Sequence, residues 1–128
     1  MRQTDKNTKF TLFQAFSCAW RGICDTAKER NFRIELCFMV LCIILGLFFS
    51  ISLIEWLIVL ICSGLVLGGE CFNTALEAIV DLVSPKYNEL ARIAKDAAAG
   101  GVLLFSIASL FVGIIMFLPR ILSLLGFF

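Results

Sequence analysis

Residues 53–83 read LIEWLIVLICSGLVLGGECFNTALEAIVDLV, an apolar run crossed in its second half by Glu70, Asn73, Glu77 and Asp81. The run ends at Ser84-Pro85, since a residue before proline is driven out of the helical region. As a helix at about 1.5 Å per residue it extends roughly 45 Å, against about 30 Å for a bilayer's hydrocarbon core. One end must therefore project into water. The polar residues are spaced by three, four and four, which puts them on one helix face. Counted from Trp56, a candidate interface anchor, Glu70 lies roughly 21 Å along the helix and Glu77 about 10 Å further. A charge buried that deep costs about 2–3 kcal/mol even on the lenient insertion scale. One asparagine is ordinary hydrogen-bonding glue between membrane helices. Three carboxylates in register are not, and the stripe reads as a functional site.

Composition places the rest of the chain. It has 128 residues, 60% of them hydrophobic, too many for a domain of this size to hide in a soluble core. The expected class is an all-α membrane protein forming a single domain over residues 1–128. No cleavable leader is expected, because Met1 to Thr8 is polar and no short apolar core precedes the first long run. The six cysteines lack C-x-x-C spacing and read as free buried thiols. There is no histidine, which removes the imidazole base and leaves carboxylates or lysine for proton transfer.

Residues 9–28 carry Phe13, Phe16, Trp20, Ile23 and Ala27 on one helical face and Gln14, Arg21, Asp25 and Lys28 largely on the other. That pattern is an amphipathic helix lying in the membrane interface. Spanning helices are expected over residues 34–51, 53–83 and 89–118, the last ending at Pro119-Arg120. Arg2, Lys6, Lys9, Arg21, Lys28, Arg30 and Arg33 precede the first span, and Lys86, Arg92 and Lys95 follow the second. The turn near Ser50 carries none, and only Arg120 marks the far end. The positive-inside rule then gives a multi-pass protein of the cell membrane, N-terminus in and C-terminus out.

The third span brings complementary groups. Arg92, Lys95 and Asp96 stand at its start, followed by Ala97-Ala98-Ala99-Gly100-Gly101, small enough for another helix to approach closely. Glu29 and Glu35 flank the base of the first span, where Glu35 reads equally well as an interfacial charge. Clustered carboxylates that keep open positions suit Mg²⁺, which shares its shell with phosphate oxygens. A lysine offsets phosphate charge, and a deeper carboxylate serves as base toward a lipid hydroxyl. No G-x-x-x-x-G-K-[ST] loop is present, so a nucleotide would not be held in the Walker manner. Phosphoryl transfer to a membrane lipid alcohol fits these groups. A proton-coupled transporter or assembly subunit uses the same residue types, but the stripe leaves no polar exit past Glu70, since between Trp56 and Glu70 Ser63 stands alone among apolar residues.

At these positions the sequence resembles the prokaryotic diacylglycerol kinase and undecaprenol kinase family of small integral-membrane lipid kinases. The stretches that carry the resemblance are Glu70-Cys-Phe-Asn-Thr-Ala-Leu-Glu-Ala-Ile-Val-Asp81 and Ala94-Lys-Asp-Ala-Ala-Ala-Gly100, with Tyr87-Asn-Glu-Leu90 and Glu29-Arg-Asn-Phe-Arg-Ile-Glu35. The resemblance implies a homotrimer with active sites shared between subunits, ATP as phosphoryl donor, a membrane lipid alcohol as acceptor and no nucleic acid partner. It implies Glu70 as the base, Glu29 and Glu77 as ligands of Mg²⁺, and Lys86, Tyr87, Asn88, Lys95 and Asp96 as nucleotide contacts. Asn73, Asp81 and Glu35 take supporting roles. The family's Gram-negative branch carries a nucleotide-contacting Arg and Tyr in the surface helix, where this chain offers Lys9 or Thr11 and Cys18. Ala99 stands where that branch has serine. The Asn-Thr-Ala and Lys-Asp-Ala-Ala-Ala-Gly forms resemble the Gram-positive branch, which implies undecaprenol ahead of diacylglycerol.

Overall fold

The computed structural model describes residues 11–126, which form four helices: α1 (Leu12–Thr26), α2 (Arg30–Phe48), α3 (Leu53–Val83) and α4 (Glu89–Leu124). Lys9, one of the candidate nucleotide contacts, lies outside the described residues, as do Arg2 and Lys6. The cysteines are free thiols, as expected, but none is buried within the chain: Cys18, Cys24 and Cys37 are exposed and Cys42, Cys62 and Cys71 half-buried.

Local chemistry sets where each helix begins. Thr11 accepts from Gln14 N at 3.3 Å while Gln14 Oε1 accepts from Thr11 N at 2.9 Å, a reciprocal capping box that starts α1. Ser52 and Glu55 do the same for α3. Asn88 starts α4, its side-chain oxygen accepting from Leu90 N at 2.8 Å and Ala91 N at 3.3 Å. Between α2 and α3, Ser50 adopts a left-handed backbone (φ 49°) and reverses the chain tightly.

α1 stops at Thr26 rather than at residue 28 and α2 at Phe48 rather than 51, and two other ends differ more from the sequence expectation. α2 begins at Arg30 rather than near residue 34, with Glu29 as its N-cap, so Asn31 and Glu35 stand one turn apart on the same helix face. α4 runs through Pro119 to Leu124 instead of stopping at residue 118. Proline removes the donor to the carbonyl four residues back. Arg120 reinforces this turn from outside, donating to Met116 O and, at 2.7 Å, to Glu55 Oε1.

α3 is the central element, packed most extensively on α4, then on α2 and least on α1. Near the α2–α3 turn a core forms from Ile51, Val59, Met116 and Phe117, with Trp56 against it. Closer to Glu70, Gly69 permits the approach of α4: a Cβ there would stand 3.1 Å from the Phe105 ring. The small residues at Gly100 and Gly101 do not serve this contact, for a Cβ at either meets nothing within 4 Å among the described residues. α2, α3 and α4 are each long and apolar enough to cross a membrane. Leu60, Ile61, Leu104 and Ile115 project outward from them, as lipid contact demands. The uncovered face of α1 carries Leu12, Phe13, Phe16 and Trp20.

Candidate functional site

Glu70 is 3% exposed, the one buried charged residue among the described residues, and it sits where α2 and α4 close over α3. A cavity of about 160 Å³ lies beside it, bounded by Asn31 and Glu35 of α2, Asn73 of α3, and Ala99 and Ser106 of α4. Ser106 Oγ donates to Glu35 Oε1 at 3.2 Å. The second oxygen, Glu35 Oε2, is buried without a partner among the described residues, and so is Asn73 Oδ1. Orphaned buried acceptors of this kind cost about 1–3 kcal/mol each unless a donor reaches them. The cavity therefore has room and acceptors for a hydrogen-bond donor, be it water or a ligand's O–H or N–H group.

The outer members of the stripe, Glu77 and Asp81, lie outside the cavity lining. Asn73 Nδ2 donates to Glu77 Oε1 at 3.4 Å, a long bond that leaves the half-buried Glu77 carboxylate with free lone pairs. Glu29 and Glu77 both lie within Coulombic reach of Glu70. Glu29 is exposed, and although it occupies the N-cap of α2 its carboxylate makes no capping hydrogen bond there. Further along α3, Asp81 accepts from Lys95 Nζ at 2.8 Å.

The structure groups the expected site residues in two sets. Glu35, Glu70 and Asn73 share the cavity, with Glu29 and Glu77 near it, whereas Lys86, Tyr87, Asn88 and Asp96 lie in the α3–α4 connection and the first turns of α4. In this second set Arg92 bridges Glu89 and Asp96. Tyr87 Oη donates to Glu89 Oε2 at 2.6 Å, and that bond to a carboxylate raises the phenol's pKa, keeping it a donor at neutral pH. Two polar residues of the cavity were missed from sequence, Asn31 and Ser106, besides the apolar Val102 and Leu103. Asn31 is four residues before Glu35, a spacing that was readable. Ser106 is seven beyond Ala99, two helical turns into an apolar run, where a lone serine gave no signal.

Among the described residues no three His, Cys, Asp or Glu side chains converge as a metal-binding group. The donors that are present suit a hard divalent ion held partly by a nucleotide. Glu29 and Glu77 offer carboxylate oxygens without capping or ion-pair partners, and Mg²⁺ favours one or two carboxylates supplemented by phosphate oxygens.

Fold and site together define a small helical membrane protein with an acidic cavity set between its spans. It belongs to the prokaryotic diacylglycerol kinase family, whose model matches residues 17–117. The undecaprenol kinase of Bacillus subtilis (strain 168) is 39% identical over 117 residues, covering 91% of this chain and 95% of its own length. The diacylglycerol kinase of Synechocystis sp. (strain ATCC 27184 / PCC 6803 / Kazusa) is 43% identical over 116 residues, although the chain spans only 66% of that protein. The diacylglycerol kinase of Escherichia coli (strain K12) is 28% identical over 102 residues, 78% of this chain and 84% of the relative. The chain is thus a lipid kinase, a phosphotransferase with an alcohol group as acceptor.

Proposed function

We propose that the protein transfers the γ-phosphate of Mg·ATP to the hydroxyl of a membrane lipid, with undecaprenol as the acceptor ahead of diacylglycerol. The observation that carries this reading is the buried Glu70 beside a cavity in which two further acceptors, Glu35 Oε2 and Asn73 Oδ1, have no donor among the described residues. The lipid hydroxyl enters that cavity and gives its proton to the Glu70 carboxylate as its oxygen bonds to the γ-phosphorus. The bond from that phosphorus to the β-phosphate bridging oxygen breaks, and ADP leaves. Asn73 orients groups around Glu70. Glu29 and Glu77 would hold Mg²⁺, which when bound neutralises charge on the nucleotide phosphates. Lys95 and Asp96, with the Lys86-Tyr87-Asn88 connection, receive the nucleotide. Asp81 has a supporting role, holding Lys95 in place until phosphate takes over that contact.

The wider arrangement follows from the same reading. The basic residues near α1 and after α3 put the nucleotide side in the cytoplasm of a cell-membrane protein. One domain carries the activity, and three copies complete it, the open face at Gly100 and Gly101 being free to receive a neighbouring helix. Undecaprenol is favoured because the relative bearing that name matches this chain over nearly the full length of both. The 43% identity to a diacylglycerol kinase keeps that acceptor as the second reading.

The test is transfer of labelled γ-phosphate in mixed micelles, with undecaprenol and diacylglycerol as parallel acceptors. Undecaprenol should give the higher kcat/KM, and Glu70→Gln should lower turnover by at least about a thousandfold, as expected when a general base and its positioning are both lost. Full turnover by Glu70→Gln would remove the base assignment, and a preference for diacylglycerol would reverse the acceptor.

A further inference from the structure

The Ser106–Glu35 hydrogen bond is, among the described residues, the one side-chain bond joining α2 to α4. Both of its partners line the cavity beside Glu70. Of the α4 side chains bounding that space, Ser106 alone is polar, while Ala99 two turns earlier presents only a methyl group. With Glu35 Oε1 held by Ser106, the partnerless Oε2 stays buried at the cavity wall. Released from this bond, the Glu35 side chain is free to rotate about its own torsions toward Glu70, with which it shares the cavity. A second carboxylate would then fill space and repel the first.

The space is small enough for this to matter. About 160 Å³ corresponds to roughly five water volumes at ~30 Å³ each, well under the ~300 Å³ at which pockets begin to hold a whole small molecule. It admits the hydroxyl-bearing end of a lipid, leaving the chain outside among the helices. We infer that Ser106 is a positioning residue of the acceptor site: by holding Glu35 against α4 it keeps the space beside Glu70 open to the lipid hydroxyl. This rests on Glu70 being the base.

A merely structural Ser106 would glue α2 to α4, and its loss would lower thermal stability while leaving every KM in place. The positioning role instead gives a split. Ser106→Ala should raise the KM for undecaprenol about three- to tenfold, the range set by one ordinary hydrogen bond, with the KM for ATP unmoved. Ser106→Thr, which keeps the hydroxyl, should restore the acceptor KM. In a Glu35→Ala background, Ser106→Ala should add less than about a twofold effect, because residues that act through one another are not additive. The inference is overturned by an acceptor KM unchanged in Ser106→Ala, by equal losses in the Ala and Thr variants, or by an ATP KM that rises in parallel. Glu70→Gln in the same assay separates the two ideas. If it abolishes turnover while Ser106→Ala leaves the acceptor KM alone, Glu70 stands and the Ser106 role falls. If Glu70→Gln retains turnover, the base and this inference fall together.

Discussion

Lys95 Nζ donates to Asp81 Oδ1 at 2.8 Å, tying the first turns of α4 to the last turns of α3. The lysine proposed to meet phosphate therefore has a carboxylate partner that a nucleotide must replace. Lys95 and Asp81 are 36% and 67% exposed, so the pair contributes at most about 1 kcal/mol to folding. Asp81→Asn should leave the melting temperature within about a degree or two and lower the KM for ATP by up to about fivefold, the equivalent of that ~1 kcal/mol. Steady-state kinetics against ATP at saturating lipid measures this. A higher KM in Asp81→Asn would mean that Asp81 itself helps to hold the nucleotide.

Much of this architecture was legible from charge and period. The stripe from Glu70 to Asp81 declared itself because four polar residues at helical spacing are costly inside an apolar run. Helix starts were readable where a side-chain cap governs, as at Ser52 and Asn88; boundaries were misread at Arg30, where Glu29 makes no capping bond, and at Pro119, where a distant partner intervenes. Pro119 looks like a stop in isolation, yet Arg120 reaches both Met116 O and Glu55, sixty-five residues away in sequence. Ser106 was invisible for the same reason: its meaning comes from Glu35, seventy-one residues earlier. The small residues Gly100 and Gly101 marked a packing face without saying what packs there, and within the chain the close approach occurs at Gly69 instead.

The exposed face of α1 yields a spectroscopic expectation. Trp20 is 66% exposed within the chain, on the same side as Phe13 and Phe16. An amphipathic helix in the interface buries such a face only about 5–10 Å into the bilayer. In a Trp56→Phe variant reconstituted with brominated lipids, Trp20 fluorescence should be quenched most by bromines high on the acyl chains and least by those near the midplane. Quenching that is strongest at the midplane would place α1 across the membrane; none at all would put it in water.

At the opposite end of α3, Glu55 serves two partners. It completes the Ser52 capping box and accepts from Arg120, which is itself partly buried. Glu55→Leu should lose the cap, about 1 kcal/mol, and leave the Arg120 charge with one fewer partner. The expected result is a melting temperature lowered by several degrees in detergent. Glu55 is fifteen residues from Glu70, roughly 22 Å along the helix, so kcat measured well below the transition should stay within about twofold of the parent. A large fall in kcat with no loss of stability would mean that this end of the bundle communicates with the cavity.

Gly46 is the most confined of the glycines, and its replacement sets two known effects against each other. A Cβ there would stand 2.8 Å from Trp56 Cη2 and 3.0 Å from both Ile51 Cδ1 and Trp56 Cζ2. Neither neighbour yields easily, since Ile51 belongs to the buried core and Trp56 is a rigid ring packed on it. Overpacking of this kind costs about 1–3 kcal/mol. Replacing glycine by alanine within a helix returns about 1 kcal/mol of backbone entropy and propensity. The balance for Gly46→Ala is therefore a net loss of up to about 2 kcal/mol. Gly22 on α1 provides the control, because nothing lies within 4 Å of its Cβ position and only the favourable contribution remains. Thermal unfolding of both variants in one detergent should move in opposite directions, Gly46→Ala down and Gly22→Ala up. Stabilisation by Gly46→Ala would show that Trp56 and Ile51 give way cheaply, and that the α2–α3 corner is packed more loosely than these distances require.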